Sequence, residues 1–246
     1  MRVAFLLADP DDLHIIEATQ QAGIPVPLVL MPANTPALQA SPGEATVVRD
    51  TEIASSTAML AHRIDVLMSL ALPPEPGSPL RNPRWTLLCR HRSLLPRHRG
   101  LDPAWHTLDQ GDAVAGVSVH LIDRLRTYDG PLLVQRPVPV DPFDTLISLR
   151  RKLAACEGEL VVSALRRFAG GSTFIDQDES EATQHDRPVG REDRRLDPQQ
   201  PLAQLIDRIR ACDPGEAPAW FEWRDQAVGV RLWRLSRPEG SDPDSL

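Results

Sequence analysis

The feature that most constrains the fold of this chain is a series of short apolar runs, separated by polar or helical stretches, over the first 140 residues. The first run, RVAFLLA at Arg2–Ala8, joins six apolar residues and ends at an Asp/Pro cluster, which is typical of a buried strand. Further strands are predicted at Pro25–Met31, Asp65–Ala71, Trp85–Arg90, Val114–Ile122 and Pro131–Val140, the last bent by prolines at a sheet edge. This alternation predicts an α/β fold with a mostly parallel sheet, and such sheets bind ligands at the carboxyl ends of their strands.

Helical periodicity accounts for much of the remaining chain. Helices are predicted from Asp11 or Asp12 to Gly23, at Thr51–Arg63, at Asp144–Phe168 with an interruption at Gly158, and from Leu202 to Cys212. The alternating segment Phe221–Leu235 predicts a β-hairpin. Because residues 172–201 are polar and poor in apolar anchors, we predict a domain at 1–171, a linker at 172–201 and a small C-terminal subdomain at 202–246. The last eleven residues are predicted to be disordered.

The lysine and cysteine content excludes several kinds of site. Of the 27 basic residues only Lys152 is a lysine, and it does not follow a glycine, so the phosphate-binding P-loop is absent. Schiff-base chemistry would depend on Lys152 or the amino terminus. The three cysteines form no CxxC pair, which argues against a disulfide framework, and no metal is expected. The first apolar run is too short for a membrane span or a signal peptide, so we expect a cytoplasmic protein without membrane contact.

One segment, Arg81–Gly100, concentrates positive charge in a chain whose net charge is −7. It holds six arginines, two histidines and no acidic residue. Such a patch suits a phosphate or carboxylate group on a ligand better than a nucleic acid, because the rest of the chain would repel a polyanion. The alternative is a solvated loop that reflects the general arginine bias.

Within this segment a predicted strand ends at Cys89-Arg90-His91. If these residues are extended, Cys89 and His91 point to one face and Arg90 to the other. A histidine at the carboxyl end of a sheet strand lies where such folds build active sites, although a histidine can also merely anchor a turn. His98 and His106 are predicted to be a loop residue and a helix-surface residue.

The segment HRSLLPRHRG at His91–Gly100 resembles the formyltransferase signature, in which Asn-x-His-x-Ser-Leu-Leu-Pro precedes a short stretch ending in Gly. ALP at Ala71–Pro73 resembles the segment that lines the folate pocket of that family, and GVSVHLID at Gly116–Asp123 with DGPLLVQRPVPV at Asp129–Val140 resembles its catalytic Asp loop and strand. Residues Arg191–Trp220 are similar to the linker and helix that precede the small C-terminal domain of methionyl-tRNA and sugar N-formyltransferases.

The resemblance implies a Rossmann-like formyltransferase domain with a small C-terminal extension. It also implies transfer of a formyl group from 10-formyltetrahydrofolate to a primary amine. In the family, Asn and His serve the oxyanion and an Asp assists proton transfer, which are the roles that this chemistry needs. Carried over, the expected catalytic residues are His91, Asp129 and Cys89, the folate-binding residues are Leu70, Ala71, Leu72 and Asp123, and the acceptor-binding residues are Ser93, Arg97 and Arg99.

The sequence departs from the family pattern at two positions. Cys89 stands where the family has Asn, and a thiol is only a weak hydrogen-bond donor. Loss of one oxyanion donor typically lowers turnover by about 10²–10³. The Asp loop, RLRTYDGP at Arg124–Pro131, also has an altered length, so either Thr127 or Asp129 occupies the Asp position; Asp129 is favoured because Gly-Pro follows it.

Several functions are compatible with these residues. The favoured one is an N-formyltransferase for a small-molecule amine, such as an amino sugar, in which the amine is nucleotide-linked or free and the enzyme is a homodimer. Methionyl-tRNA is disfavoured as acceptor because Pro32–Arg49 is not a basic loop and the C-terminal part is short. The alternatives are a catalytically degenerate binding protein, a Cys89–His91 nucleophile and base pair, and metal binding through Cys89, His91 and His120.

Overall fold

The computed structural model describes residues 1–38, 42–49, 52–70, 73–123, 126–236 and 238–246. These residues form two compact units, and each is described by itself. The first unit consists of Met1–His91, Val117–Arg136 and Cys156–Ser180. The second unit consists of Arg92–Gly116, Pro137–Ala155 and Glu181–Leu246.

Strands and short helices alternate along the chain as the apolar runs predict. The strands are β1 (Val3–Leu6), β2 (Leu28–Met31), β3 (Thr46–Arg49), β4 (Val66–Ser69), β5 (Thr86–His91), β6 (Arg99–Gly100), β7 (Val114–Ile122), β8 (Leu132–Pro139), β9 (Gln184–His185), β10 (Ala219–Trp223) and β11 (Gln226–Val230). The α-helices are α1 (Leu13–Gln21), α2 (Glu52–Ala61), α3 (Pro103–Asp109), α4 (Leu146–Ala169) and α5 (Leu202–Ala211). Short 3₁₀ helices lie at Pro10–Asp12, Glu179–Glu181 and Glu192–Arg194.

Seven strands form one sheet in the order β3-β2-β1-β4-β5-β7-β8. The first five are parallel, and β7 runs antiparallel to β5. The predicted mostly parallel α/β sheet is therefore confirmed, and the proline-containing strand β8 lies at its edge. Strand β3 was not predicted, because three of its four side chains are exposed and it lacks a continuous apolar run.

The core of the first unit explains why the parallel strands read as unbroken apolar runs. Every residue of β2 and β4 is buried, as expected for strands covered on both faces. One core cluster joins Ala4, Leu30 and Leu67 from three adjacent strands with Trp85 and Cys89. The strand ends that carry polar residues are thus fixed by apolar packing behind them.

The predicted interruption at Gly158 is wrong. Helix α4 runs without a break from Leu146 to Ala169. A Cβ atom at Gly158 would lie 3.2 Å from the Cβ atom of Ala18 in α1, so the missing side chain lets these two helices approach closely. Glycine in a helix costs about 0.5–1 kcal/mol relative to alanine, and this close packing offsets that cost.

The C-terminal helix and hairpin are confirmed within the second unit. Strands β10 and β11 pair antiparallel, and Arg224 and Asp225 form the turn with φ of 49° and 61°. Positive φ at both turn residues is the geometry that suits the twist of a two-residue hairpin. Helix α5 shares a small apolar cluster with this hairpin through Leu205, Ile209 and Ala219.

The segment predicted as a linker contributes structure to the second unit. Strand β9 pairs in parallel with β6, and Leu196 is buried in the cluster of α5. The tail after residue 237, for which disorder is predicted, instead bonds to the start of α4: Leu246 N donates to Phe143 O at 2.7 Å, and two tail aspartates pair with Arg151. The domain boundaries at 171 and 201 stay a prediction.

Candidate active site

His91 is held at the carboxyl end of β5, which pairs in parallel with β4 on one side and antiparallel with β7 on the other. The parallel pairing of β4 and β5 ends with Ser69 opposite Cys89, whereas the antiparallel pairing with β7 continues and places His91 opposite Ser118. His91 therefore extends beyond the end of β4 and is still anchored through β7. Its side chain is buried, with 6% of the residue exposed. This is the position where α/β sheets bind their ligands.

The ring of Tyr128 packs against the imidazole of His91. The two ring centroids lie 5.1 Å apart with an interplanar angle of 57°, and His120 packs edge-on to His91 at 6.5 Å. Tyr128 is not among the site residues predicted from the sequence. The signal that could have found it is that the only tyrosine of the chain lies in the loop of altered length.

The loop that carries Tyr128 accepts hydrogen bonds from two side chains, Arg81 and Gln177. Buried Arg81 donates to Asp123 O at 2.6 Å and to Thr127 Oγ1 at 2.8 Å. Gln177 Nε2 donates to the main-chain oxygens of Tyr128 and Gly130 at 2.7 and 2.6 Å. Both sets of hydrogen bonds come from residues that are distant in sequence, so the fold helps to fix the position of the loop.

Cys89 does not offer a donor to a ligand. It is 1% exposed, and its Sγ donates to Arg90 O at 3.4 Å. Burial in the apolar core raises the pKa of the Cys89 thiol to about 12, against the weaker opposing field of Arg90. The thiol is therefore neutral at physiological pH, which argues against the alternative in which Cys89 is a nucleophile activated by His91.

The two candidates for the Asp position lie side by side. Asp129 is exposed, and its Oδ1 accepts a hydrogen bond from Thr127 N at 3.0 Å. The Thr127 hydroxyl in turn accepts from Arg81. The Asp129 carboxylate thus stabilises the turn to which it belongs. Tyr128, which lies between Thr127 and Asp129 in the sequence, makes the ring contact with His91. The catalytic role of Asp129 stays a prediction.

Of the four residues predicted to bind folate, Ala71 and Leu72 lie outside the described residues. Leu70 is buried at the end of β4, where its carbonyl accepts from Arg90 Nη2 at 2.8 Å. The Asp123 carboxylate accepts from Arg126 N and Nε at 2.8 and 2.7 Å. Leu70 therefore follows the end of β4 that is level with the carboxyl end of β5, whereas Asp123 follows the end of antiparallel β7 that is level with the amino end of β5.

The predicted positive patch at Arg81–Gly100 is wrong in part. Arg90 is buried with two acids, Asp12 at the start of α1 and Glu157 in α4, the latter at 3.4 Å. Arg81 and Arg99 are buried as well. The acids that pair with Arg90 are far away in sequence, so the charge balance of the segment alone could not reveal them.

The residues predicted to bind the acceptor all belong to the second unit. Ser93 is buried and its Oγ donates to Arg97 O at 2.7 Å. Arg97 is exposed and pairs with Asp112 at 2.8 Å, whereas Arg99 is buried in β6. These contacts stabilise the turn after the signature histidine, and the acceptor-binding role stays a prediction.

His98 lies in a turn, as predicted for a loop residue, but its side chain is buried. It is 2% exposed, with Nδ1 3.1 Å from His185 Nε2 and Nε2 2.8 Å from Asp112 Oδ2. His106 was predicted to lie on a helix surface. Its side chain is half-buried and stacks on His185, with the ring centroids 3.4 Å apart. The partner His185 lies in the segment predicted as a linker, which is why the sequence did not reveal this cluster.

Within the described ranges, no group of three or more His, Cys, Asp or Glu side chains is arranged to hold a metal ion. Lys152, the sole lysine, forms an ion pair with buried Asp144 at 2.6 Å. In the same part of the chain no helix is long and apolar enough to cross a membrane.

Comparison with known proteins gives one consistent family. Residues 1–165 match the formyl transferase family model, so this chain belongs to the formyl transferase family. A methionyl-tRNA formyltransferase of Ralstonia nicotianae is 31% identical over an alignment of 281 residues. The alignment covers 100% of this chain and 83% of the relative.

Two solved structures share the fold at lower identity. A sugar N-formyltransferase from a Shewanella species superposes with a TM-score of 0.68 at 18% identity and covers 96% of this chain and 99% of its own. HypX from Aquifex aeolicus, solved in complex with tetrahydrofolic acid, gives a TM-score of 0.65 at 18% identity. The match covers 94% of this chain but only 37% of HypX, which is thus a much longer protein.

Proposed function

We propose that this protein transfers the formyl group of 10-formyltetrahydrofolate to the primary amine of a small molecule. The observation that carries the proposal is the position of His91. It is the histidine of the family signature, buried at the carboxyl end of β5 beside a firmly held loop. Membership of the formyl transferase family supports the same chemistry.

The folate substrate supplies a formyl carbon whose bond to nitrogen is broken in the transfer. The imidazole of His91 donates a hydrogen bond toward the formyl oxygen, where negative charge develops as the amine adds. The loop at 126–131 provides the acceptor for the amine proton, a role we assign to Asp129 because its exposed carboxylate is the acidic group of the described loop. Burial of His91 keeps water from competing with the amine.

The folate-binding roles of Leu70 and Asp123 are supported by the chemistry of their side chains. Leu70 offers an apolar wall, and the Asp123 side chain is 38% exposed with carboxylate oxygens that can accept further hydrogen bonds. A pterin carries an amino group and ring N–H groups, which need such acceptors. We assign Leu70 and Asp123 to folate binding on this chemistry.

A small-molecule acceptor is supported by the likeness to a sugar N-formyltransferase that the chain matches over 99% of its length. Relatives named as methionyl-tRNA formyltransferases match as well, so the test must include both acceptors. The protein is incubated with 10-formyltetrahydrofolate and a panel of amino sugars, nucleotide-linked amino sugars and methionyl-tRNA. Tetrahydrofolate release is followed together with the mass of each amine. Consumption of the folate without any formylated amine would contradict the proposal.

A second function, ligand binding without catalysis, is favoured by one observation. Cys89 stands at the Asn position and its Sγ is directed to the main chain of its own strand. The substitution Cys89→Asn tests it. A large gain in formyl transfer would indicate a site that has lost its donor, and absence of transfer in both proteins would favour the binding function. Near-equal transfer by the two proteins would show that another residue replaces the lost donor.

A further inference from the structure

We infer that the phenol of Tyr128 donates the second hydrogen bond to the formyl oxygen and so replaces the Asn that Cys89 has displaced. The inference rests on the proposed function, since it assigns a further catalytic residue to the same reaction. It starts from a need: two donors stabilise the oxyanion in the family, and only His91 keeps its place in this sequence.

The first observation is that Cys89, the residue at the Asn position, does not supply a hydrogen-bond donor to a ligand. Cys89 is buried among apolar side chains, and its S–H is directed to Arg90 O. A thiol is a weak donor even when it is available. The compensating donor must therefore come from another element that reaches His91.

The second observation is the contact between Tyr128 and His91. Their centroids lie 5.1 Å apart, so the phenol ring lies directly beside the imidazole at the carboxyl end of β5. A phenol is a strong neutral donor that keeps its proton near pH 7. Asp129, next in sequence, is an acceptor when ionised and cannot take this role.

The third observation is that Tyr128 is held in advance of any ligand. Arg81 fixes the residue before it through Thr127 Oγ1, and Gln177 fixes the Tyr128 carbonyl itself. Donors that are already in position when charge develops need no reorganisation, which is the property that makes oxyanion donors effective. A mobile surface tyrosine would not have it.

The step balances without any further reactant. The amine nitrogen uses its lone pair to form a C–N bond to the formyl carbon, and the π electrons of the carbonyl move to oxygen. Tyr128 and His91 donate hydrogen bonds to that oxygen and keep their protons. The electrons then return to re-form the carbonyl, the bond from carbon to the folate nitrogen breaks, and the proton lost by the amine passes to that nitrogen.

The kinetic test uses Tyr128→Phe, which keeps the ring against His91 and removes only the hydroxyl. In the native background we expect kcat to fall by about 10²–10³ with little change in KM. In the Cys89→Asn background, where Asn supplies a donor, the same change should lower kcat by less than about 10-fold. Equal kcat values for native protein and Tyr128→Phe would overturn the inference. Ser180→Ala, which removes an exposed hydroxyl from the same unit, should leave kcat unchanged.

A spectroscopic readout separates this inference from the proposed function. Because Tyr128 is the only tyrosine, protein grown with tyrosine labelled with ¹³C at Cζ gives a single signal from this side chain. We expect the signal to shift on addition of 10-formyltetrahydrofolate in the absence of any amine. A shift combined with no formylated amine in the panel would overturn the proposed function and support the contact. Transfer by the native protein with no shift and an unaffected Tyr128→Phe would overturn the inference alone.

Discussion

The side chain on which the proposed chemistry depends most directly is His91. Replacement by Leu keeps a side chain of similar size in this buried position but removes the hydrogen-bond donor of the imidazole. We expect kcat for formyl transfer to fall by about 10²–10³, while KM for the folate changes little. His62→Leu is the matched control, because the hydrogen bond of His62 is made by its carbonyl, which accepts from Arg2 Nε at 2.8 Å. Equal losses in both variants would contradict a specific role for His91.

Arg90 lies next to the site, and its buried ion pairs stabilise the fold. It joins β5 to α1 and α4 through Asp12 and Glu157, and all three side chains are at most 5% exposed. Asp12→Ala leaves part of a buried charge without its partner, and such changes cost about 3–5 kcal/mol in the free energy of unfolding. Urea denaturation measures the loss. Arg151→Ala removes an exposed arginine paired with acids and should change the midpoint little.

Among single residues, the sequence predicts those that follow a local pattern and misses those that depend on distant partners. His91 could be placed because it ends an apolar strand within a recognisable signature. The burial of Arg90 and His98 could not, since their partners lie 78 and 87 residues away. Tyr128 is the only tyrosine in the sequence, and its ring contact with His91 is what relates it to the site.

At the scale of elements, the loop between β7 and β8 depends on one close approach. A Cβ atom at Gly130 would lie 1.8 Å from Leu121 O, which is main chain and cannot move aside without disturbing β7. We therefore expect Gly130→Ala to displace the loop, and with it Tyr128, and to lower both kcat and the free energy of unfolding.

The control for that variant is Gly170→Ala at the end of α4. There an added Cβ atom would meet Arg166 O at an ordinary contact distance of 3.4 Å. Activity and stability should be close to those of the native protein. Normal activity of Gly130→Ala would show that the loop tolerates displacement, and that its position is not part of the site.

The histidine cluster around β6 and β9 predicts a sensitivity to acid. Burial and then the neighbouring His106 and His98 lower the pKa of His185 to about 4, from an ordinary value of 6.5. Because the unfolded chain binds the proton more readily, stability is full above pH 6.5 and is lost as the pH falls toward 4. Urea midpoints between pH 7 and 4 should fall less for His185→Asn than for the native protein. Parallel curves for the two proteins would contradict this assignment.

Whether a strand can be predicted from this sequence depends on how completely its side chains are buried. Strands β1, β2 and β4 are largely or wholly buried, so their sequences are continuous apolar runs. Strand β3 lies at the sheet edge with mostly exposed side chains and gives no such run. The break predicted in α4 failed because the glycine serves helix packing, which periodicity within one helix cannot indicate.

At the scale of the whole molecule, the family match and the candidate site coincide. The model of the formyl transferase family covers residues 1–165. This range contains His91 and the loop at 126–131 that carries Tyr128. The remaining residues form the hairpin, α5 and the segment that carries β9. The identity of the acceptor amine is therefore the property of this protein that the family match constrains least.

The most direct test of the account is a single transfer assay with 10-formyltetrahydrofolate labelled in the formyl carbon. The native protein and His91→Leu are compared on the same panel of amines, with label in the amine measured by mass spectrometry. We predict a labelled formamide of a small-molecule amine with the native protein and a loss of about 10²–10³ in its rate of formation with the variant. Folate consumption that labels no amine, or equal rates for the two proteins, would contradict the account.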